Sequence, residues 1–210
     1  MRVKDWMTCN PTTVNQMASV SVALKTLQGQ RFRRLPVLND EDRLVGMVTA
    51  KNLKEALPNK ATTLSLWELH ELMTRLLVRD VMARKVVICK ENDCVEDVAL
   101  LMEKHKVGGL PVLDETGQLS GMLTITDVLK AFIHVMGYDA GGKRLTLTLP
   151  DVPGSLARAA EAIAPSNILS IATSGQTPEG RQLVLRVVGT DLESVEERIR
   201  AAGLSLDTSD

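Results

Sequence analysis

Two short segments with the same spacing pair a hydroxyl with a hydrogen-bond acceptor three residues later: Thr124-x-x-Asp127 and Thr49-x-x-Asn52. On spacing alone each is a capping box, in which the threonine hydroxyl accepts from an amide of the first helical turn and the later side chain accepts from the threonine amide. A carboxylate in that turn is also a strong acceptor for hydroxyl groups of a ligand. Asn52 accepts through one oxygen only, so we expect two unequal sites, with that of Asp127 the stronger.

Basic side chains near these segments are candidates for contacts to a phosphate group. Arg33 and Arg34 immediately precede an apolar strand, and Lys51 lies between Thr49 and Asn52. We predict that these three cations reach a bound phosphate. Other cations at helix ends complement the helix dipole and stay solvated; they are Arg31, Lys104 and Lys106.

A glycine-rich segment, Gly137-x-x-x-x-Gly142-Lys143, differs from a phosphate-binding loop of nucleotide hydrolases at an essential position. That loop needs serine or threonine after the lysine to bind magnesium, a strand before it and a helix after it. Here Arg144 follows the lysine, a helix precedes the segment and a strand comes next. His70, His105 and His134 lack metal-ligand spacing. The sequence therefore predicts that the protein is not an enzyme.

Composition excludes further classes of function. The net charge is −1 and aromatic residues make up 2%, so the chain lacks the basic stripe and stacking rings of a nucleic-acid-binding protein. No apolar run approaches the roughly 18 residues that cross a bilayer, and the first residues lack the apolar core of a signal peptide. Cys9, Cys89 and Cys94 form no CxxC, and we expect reduced thiols. These features predict a cytoplasmic protein without membrane or nucleic-acid partners.

The sequence pattern that surrounds the Thr-x-x-Asp/Asn segments occurs twice in the chain. Residues 110–127 read as an apolar strand, a turn with Gly117, a second apolar strand and a helix start, and residues 35–52 repeat this pattern at an offset of 75. The offset continues without a gap back to Val3 and Val78. A gapless duplication over about fifty residues indicates two repeats, each ordered strand, helix, strand, strand, helix (β-α-β-β-α).

A single repeat of this length buries too little surface to be stable alone, so we expect the two to share a core as one module or to find a partner. We place repeat 1 at 1–57, a linker and connecting helix at 58–77, and repeat 2 at 78–137. The helix at 65–77 is apolar on more than one side, which predicts packing against both its own module and a second subunit.

The pattern changes after residue 143. Residues 145–149 alternate as a strand, and a helix follows from Ser155 to Ala164. Two more strands, a helix after Asp191 and a short strand at 204–206 complete the order βαββαβ. This order predicts a ferredoxin-like domain over 143–210, which places the whole chain in the α/β (α+β) class.

The duplicated pattern of Val-Lys/Arg-Asp-x-Met, Leu-Pro-Val and Gly-Met-Val/Leu-Thr-x-x-Asp/Asn resembles tandem cystathionine-β-synthase (CBS) repeats. Members of that family are usually regulatory modules that bind adenosine compounds between paired repeats. The resemblance implies that the Thr124-x-x-Asp127 segment binds a ribose through the two hydroxyls that Asp127 accepts. It also implies that phosphate contacts come from the neighbouring repeat.

Two further parts of the nucleotide site follow. By resemblance, backbone near Ile88 and Gly109–Pro111 forms the wall against the adenine. Independently, Gly108 and Gly109 stand where the first repeat has Arg33-Arg34, and two glycines let a ligand or another backbone come close.

The C-terminal segment Asp151-Val152-Pro153-Gly154-Ser155-Leu156, with its order of elements, resembles an ACT domain, a module that often binds amino acids at dimer interfaces. Free amides at the helix start could seat a carboxylate, with Asn167 on the other side. The alternative is a tight helix entry without a ligand. The order CBS, CBS, ACT is similar to the acetoin-utilisation group of bacterial regulatory proteins.

Together the resemblances imply a non-catalytic homodimeric regulator without a catalytic cofactor. Its regulatory ligand would be an adenosine nucleotide (AMP, ADP, ATP or a related compound), and its output an unknown target enzyme. The alternative is a structural module with an empty CBS cleft that docks a partner enzyme through the helix at 65–77.

Overall fold

The computed structural model describes residues 1–30, 32–56 and 75–207. Within them the chain forms two compact units, Met1–Val128 and Leu129–Asp210. The predicted linker at 58–64 and most of the helix predicted at 65–77 lie outside the described residues, as do Arg31 and His70.

The first repeat has the predicted β-α-β-β-α order. Its elements are β2 (Val14–Asn15), α1 (Val20–Gly29), β3 (Arg34–Leu38), β4 (Leu44–Thr49) and α2 (Ala50–Glu55), preceded by the short strand β1 (Thr8–Cys9). Ser19 caps α1, because its hydroxyl accepts from the Val22 amide at 3.4 Å. The buried face of α1 carries Val20, Ala23, Leu24 and Leu27, as its apolar spacing predicts.

The second repeat copies the first. After α3 (Val78–Val81) come β5 (Cys89–Lys90), α4 (Val95–His105), β6 (Gly109–Leu113), β7 (Leu119–Thr124) and α5 (Ile125–Val135). In both hairpins the register shifts at the equivalent place, between Val37 and Leu38 and between Val112 and Leu113. The matching irregularity shows that the duplication extends to backbone detail.

The segment that leads into each repeat pairs with the other repeat. Strand β1 pairs antiparallel with β7, joining Thr8 to Met122, and an isolated bridge joins the equivalent residues Ala83 and Met47. Helix α1 opens where the Val20 amide donates to the Leu76 carbonyl at 2.8 Å, and α4 opens where Val95 donates to the Met1 carbonyl at 3.0 Å.

Packing follows the same exchange. Val78 and Met82, which lead into the second repeat, belong to the hydrophobic core built by α1, β3 and β4 of the first. The two repeats are therefore one module with interleaved cores, and neither is complete by itself.

The C-terminal unit has the predicted ferredoxin-like fold. Its elements are β8 (Lys143–Leu149), α6 (Ser155–Ile163), β9 (Asn167–Thr177), β10 (Gly180–Val188), α7 (Glu193–Ala201) and β11 (Ser205–Asp207). They form one sheet of order β11-β8-β10-β9, with the strands antiparallel. Leu147, Leu185, Ile163 and Ile199 are fully buried between the sheet and the two helices.

Candidate functional site

A cavity of about 400 Å³ opens between the two repeats in the first unit. Its size is within the usual range of small-molecule sites, about 300–1,000 Å³. One wall comes from the first repeat and the other from the second, so the site exists only in the paired module. The lining residues are Thr8, Asn10, Pro11, Thr12, Phe32, Arg33, Arg34, Pro36, Gly108, Met122, Thr124, Ile125 and Thr126.

The Thr-x-x-Asp/Asn segments have the same local geometry in the two repeats. Asp127 Oδ2 accepts from the Thr124 amide at 2.9 Å and from the Thr124 hydroxyl at 2.6 Å. Asn52 Oδ1 accepts from the Thr49 amide at 3.1 Å and from its hydroxyl at 2.6 Å. The capping role predicted from spacing is therefore present in both helices.

The two acceptor side chains differ in the number of oxygen atoms that they carry. The two bonds to Asn52 use the single oxygen of its amide, whereas a carboxylate carries a second oxygen beyond the one that Thr124 uses. Asp127 does not line the cavity, and the residue is only 9% exposed. It is hydrogen-bonded to Thr124, which does line the cavity. Direct contact between Asp127 and a ribose stays a prediction.

Arg34 joins the two walls of the cavity. Its Nη1 donates to the Gly109 carbonyl at 3.0 Å, and its Nη2 lies 3.0 Å from the position that a Cβ would take at Gly108. Burial, and then the adjacent Arg33 guanidinium, lower the pKa of Arg34 from its usual value. The group that approaches the Gly108-Gly109 pair is thus an arginine side chain.

The remaining predicted site residues do not line this cavity. Lys51 is 81% exposed and lies 3.7 Å from Glu55 across one helical turn. Ile88 is 38% exposed just before β5, and Pro111 is buried within β6. Gly109 touches two lining residues, because its carbonyl accepts from Arg34 and it pairs with Thr124 across the hairpin.

The structure instead pairs Thr124 with residues of the first repeat that the sequence analysis did not select. Residues 8–12 enter the site because β1 pairs with β7, and Pro36, the counterpart of Pro111, lines it. The 75-residue offset makes the two repeats equivalent but does not say which leading segment pairs with which hairpin. The sequence offered one signal for these lining residues, because Phe32 directly precedes the two arginines that were selected.

The predicted ACT effector residues lie in the second unit. Asp151 is paired with Arg181, whose Nε and Nη2 lie 3.2 Å and 3.0 Å from its two carboxylate oxygens. Gly154 has φ +88° and forms the entry to α6, beside the exposed side chains of Val152 and Leu156. Asn167 follows the far end of this nine-residue helix, about 13 Å long, so one chain does not bring it to the helix start.

Within 1–30, 32–56 and 75–207 no three His, Cys, Asp or Glu side chains are placed to hold a metal ion. Burial raises the pKa of the Cys89 thiol to about 12, and Asp93 adds to the shift. None of the helices in these ranges is long and apolar enough to cross a membrane.

In the first unit, paired βαββα repeats enclose a cleft lined by the helix start at residues 124–126 and two arginines. The CBS domain model matches residues 3–59 and 78–134, and the chain belongs to the CBS domain family. A second model, the TTHA0829-like ACT domain, matches residues 141–207.

Relatives share the paired repeats. A CBS domain-containing protein of Dictyostelium discoideum is 35% identical over 140 residues, which are 64% of this chain and 92% of that protein. The L-aspartate semialdehyde sulfurtransferase of Methanocaldococcus jannaschii is 27% identical over 62% of this chain. That match spans only 23% of the sulfurtransferase.

Two similar solved structures contain adenosine compounds. CBSX2 from Arabidopsis thaliana was solved in complex with AMP; it is 31% identical, with a TM-score of 0.53 over 64% of this chain and 97% of that one. The CBS domain pair of protein MJ0100 was solved with 5′-methylthioadenosine and S-adenosyl-L-methionine. It is 25% identical, with a TM-score of 0.52 over 63% of this chain and 95% of that one.

Proposed function

We propose that the protein is a non-catalytic regulator whose CBS pair binds an adenosine nucleotide in the cavity between the repeats. The observation that carries this proposal is the cavity of about 400 Å³ itself, which brings the Thr124 segment of one repeat opposite Arg33 and Arg34 of the other. A diol acceptor and a cationic wall are the two features that a nucleotide requires. The AMP complex of the similar CBSX2 supports the same ligand class.

In this proposal Thr124 and Asp127 bind the ribose, because a carboxylate can accept from two hydroxyls at once. Arg33 and Arg34 bind phosphate. A second, weaker site would use Thr49, Asn52 and Lys51 with Gly109, Pro111 and Ile88, since the repeats are equivalent. Binding becomes regulation if the ligand prefers one of two arrangements of the module.

Calorimetric titration with AMP, ADP, ATP and S-adenosylmethionine tests this function, with Asp127→Asn as the diagnostic variant. Asn52 shows that an asparagine here keeps both bonds to the threonine, so Asp127→Asn keeps these bonds while an uncharged NH2 donor replaces the second, anionic acceptor oxygen. We expect at least about ten-fold weaker binding, or 1.4 kcal/mol.

The matched control is Asp93→Asn. The Asp93 carboxylate also accepts from a backbone amide, that of Lys90 at 2.8 Å, but does not line the cavity. This variant should bind as the wild type does. Absence of heat with all four ligands would contradict the proposal and favour the structural module that docks a partner enzyme.

For the C-terminal unit we propose ACT-type dimerisation. Among the described strands, β9 lies at one edge of the sheet, and its Leu169 and Ile171 side chains are exposed. An unpaired edge and exposed apolar side chains favour pairing with a second copy. Light scattering of wild type and Ile171→Lys measures this, and a wild-type monomer would contradict it.

An amino acid bound near Asp151–Leu156, with Asn167 contributed by a second subunit, is a further proposal supported by the ACT fold. On domain order we also propose kinship with the acetoin-utilisation regulators and an enzyme as target. The nucleotide ligand supports a cytoplasmic location.

A further inference from the structure

The cavity is asymmetric in charge although the module is nearly symmetric in backbone. Arg33 and Arg34 both line it, while their counterparts in the second repeat are Gly108 and Gly109. No acidic side chain is among the lining residues described in 1–30, 32–56 and 75–207. The uncompensated charge on the wall is therefore that of two guanidinium groups.

The glycines explain how Arg34 is held. Its Nη1 donates to the Gly109 carbonyl, and Nη2 lies 3.0 Å from the position that a Cβ would take at Gly108, so a side chain there would push the guanidinium by a few tenths of an ångström. The guanidinium thus lies beside the space that the second repeat leaves by having no side chain at Gly108. At Gly109 the contact to Arg34 is made by the backbone carbonyl.

Holding two guanidinium groups side by side has an electrostatic cost. Arg33 is exposed and adjustable, whereas Arg34 is half-buried and fixed, and their repulsion contributes to the lowered pKa of Arg34. A doubly charged phosphate between them would offset this repulsion and form charge-assisted hydrogen bonds. A ligand with a positively charged sulfonium group would instead be repelled by the two guanidinium groups.

We propose that the Arg34–Gly108 contact makes this cleft selective for phosphorylated adenosine ligands, with Arg34 as the phosphate donor and Gly108 as the residue that positions it. This inference rests on the proposed function, because it assumes that the cleft binds adenosine. It goes further in naming the phosphate as the group that determines selectivity, against nucleosides and S-adenosylmethionine.

Calorimetry with adenosine and AMP separates the two proposals, because these ligands differ only by the phosphate. Wild type should bind AMP at least about ten-fold more tightly than adenosine. In Arg34→Gln this ratio should approach one while adenosine affinity is kept, and Gly108→Ala, which retains every charge, should reduce the ratio at least two-fold.

Arg43→Gln is the matched control. Arg43 also belongs to the first repeat and donates to a second-repeat carbonyl, that of Thr116 at 3.2 Å, but it does not line the cavity. Its AMP-to-adenosine ratio should equal that of wild type. Equal wild-type affinity for adenosine and AMP, or a ratio retained in Arg34→Gln, would overturn the inference alone. Failure of adenosine, AMP, ADP, ATP and S-adenosylmethionine all to bind would overturn the proposed function with it.

Discussion

The two repeats share a backbone, yet equivalent positions differ in chemistry. Arg33-Arg34 corresponds to Gly108-Gly109, Asn52 to Asp127, and Ser19 to Cys94. The first repeat supplies the two arginines that line the cavity, and only the second repeat has a carboxylate in its Thr-x-x-Asp/Asn segment. The difference teaches that two repeats with the same backbone can carry different side-chain chemistry at equivalent positions.

The largest expected effect tests what the repeats have in common. A methyl added at Gly46 would collide with the Met82 side chain and lie 3.1 Å from the Ala83 carbonyl oxygen, and one at Gly121 would meet Met7 and the Thr8 carbonyl in the same way. We expect Gly46→Ala and Gly121→Ala each to lower the free energy of unfolding by about 1–3 kcal/mol, measured by urea denaturation.

The control for that pair is Gly29→Ala, where nothing lies near the added methyl. It should be neutral or stabilising by up to about 1 kcal/mol. In the double variant Gly121→Ala/Met7→Ala, loss of the Met7 side chain makes room for the added methyl. The double variant should therefore lose less stability than the sum of the two single variants. If only one of the two glycine variants lost stability, the two contacts between repeats would not be equivalent, and the prediction would be contradicted.

A smaller effect sharpens the difference at the start of the first helix of each repeat. The Ser19 hydroxyl caps α1, whereas Cys94 precedes α4 without a side-chain capping bond. Ser19→Ala should cost about 1 kcal/mol, and Cys94→Ser should stabilise by about 0.5–1 kcal/mol, because it gives the second helix the cap of the first. Thermal denaturation measures both effects. Shifts of the melting temperature in the same direction for Ser19→Ala and Cys94→Ser would contradict this comparison.

The smallest effect at neutral pH concerns Cys89, whose counterpart is the equally buried Val14. The pKa of the Cys89 thiol is raised from 9.0 to about 12, so between these values only the unfolded chain releases the proton. Stability is complete below about pH 9 and falls as pH rises toward 12. Cys89→Val should match wild type at pH 7 and lose less stability at about pH 10, measured by urea midpoints.

Much of the fold followed from the sequence because it is carried by local signals. The 75-residue offset predicted the repeats, and the alternation at 145–149 with the order of elements predicted the ferredoxin-like sheet. Capping by Thr49 and Thr124 was likewise predicted from three-residue spacing. Each of these signals lies within one or two elements.

The composition of the cleft was harder to predict because it depends on which repeat each leading segment joins. Pairing of Thr8 with Met122 brings residues 8–12 to Thr124, and no local pattern specifies this choice. The Gly108-Gly109 pair was predicted to let a ligand or another backbone come close. What approaches is the Arg34 guanidinium, which only the three-dimensional structure could show.

The exchange of leading segments also constrains the order of folding during synthesis. Strand β1 ends at Cys9, but its partner β7 ends at Thr124, about 115 residues later in synthesis. The core of the first repeat likewise lacks Val78 and Met82 until they are translated. At roughly 5–20 residues per second, the nascent first repeat waits for several seconds with an open hydrophobic face. The module is therefore completed only after β7 of the second repeat has been synthesised.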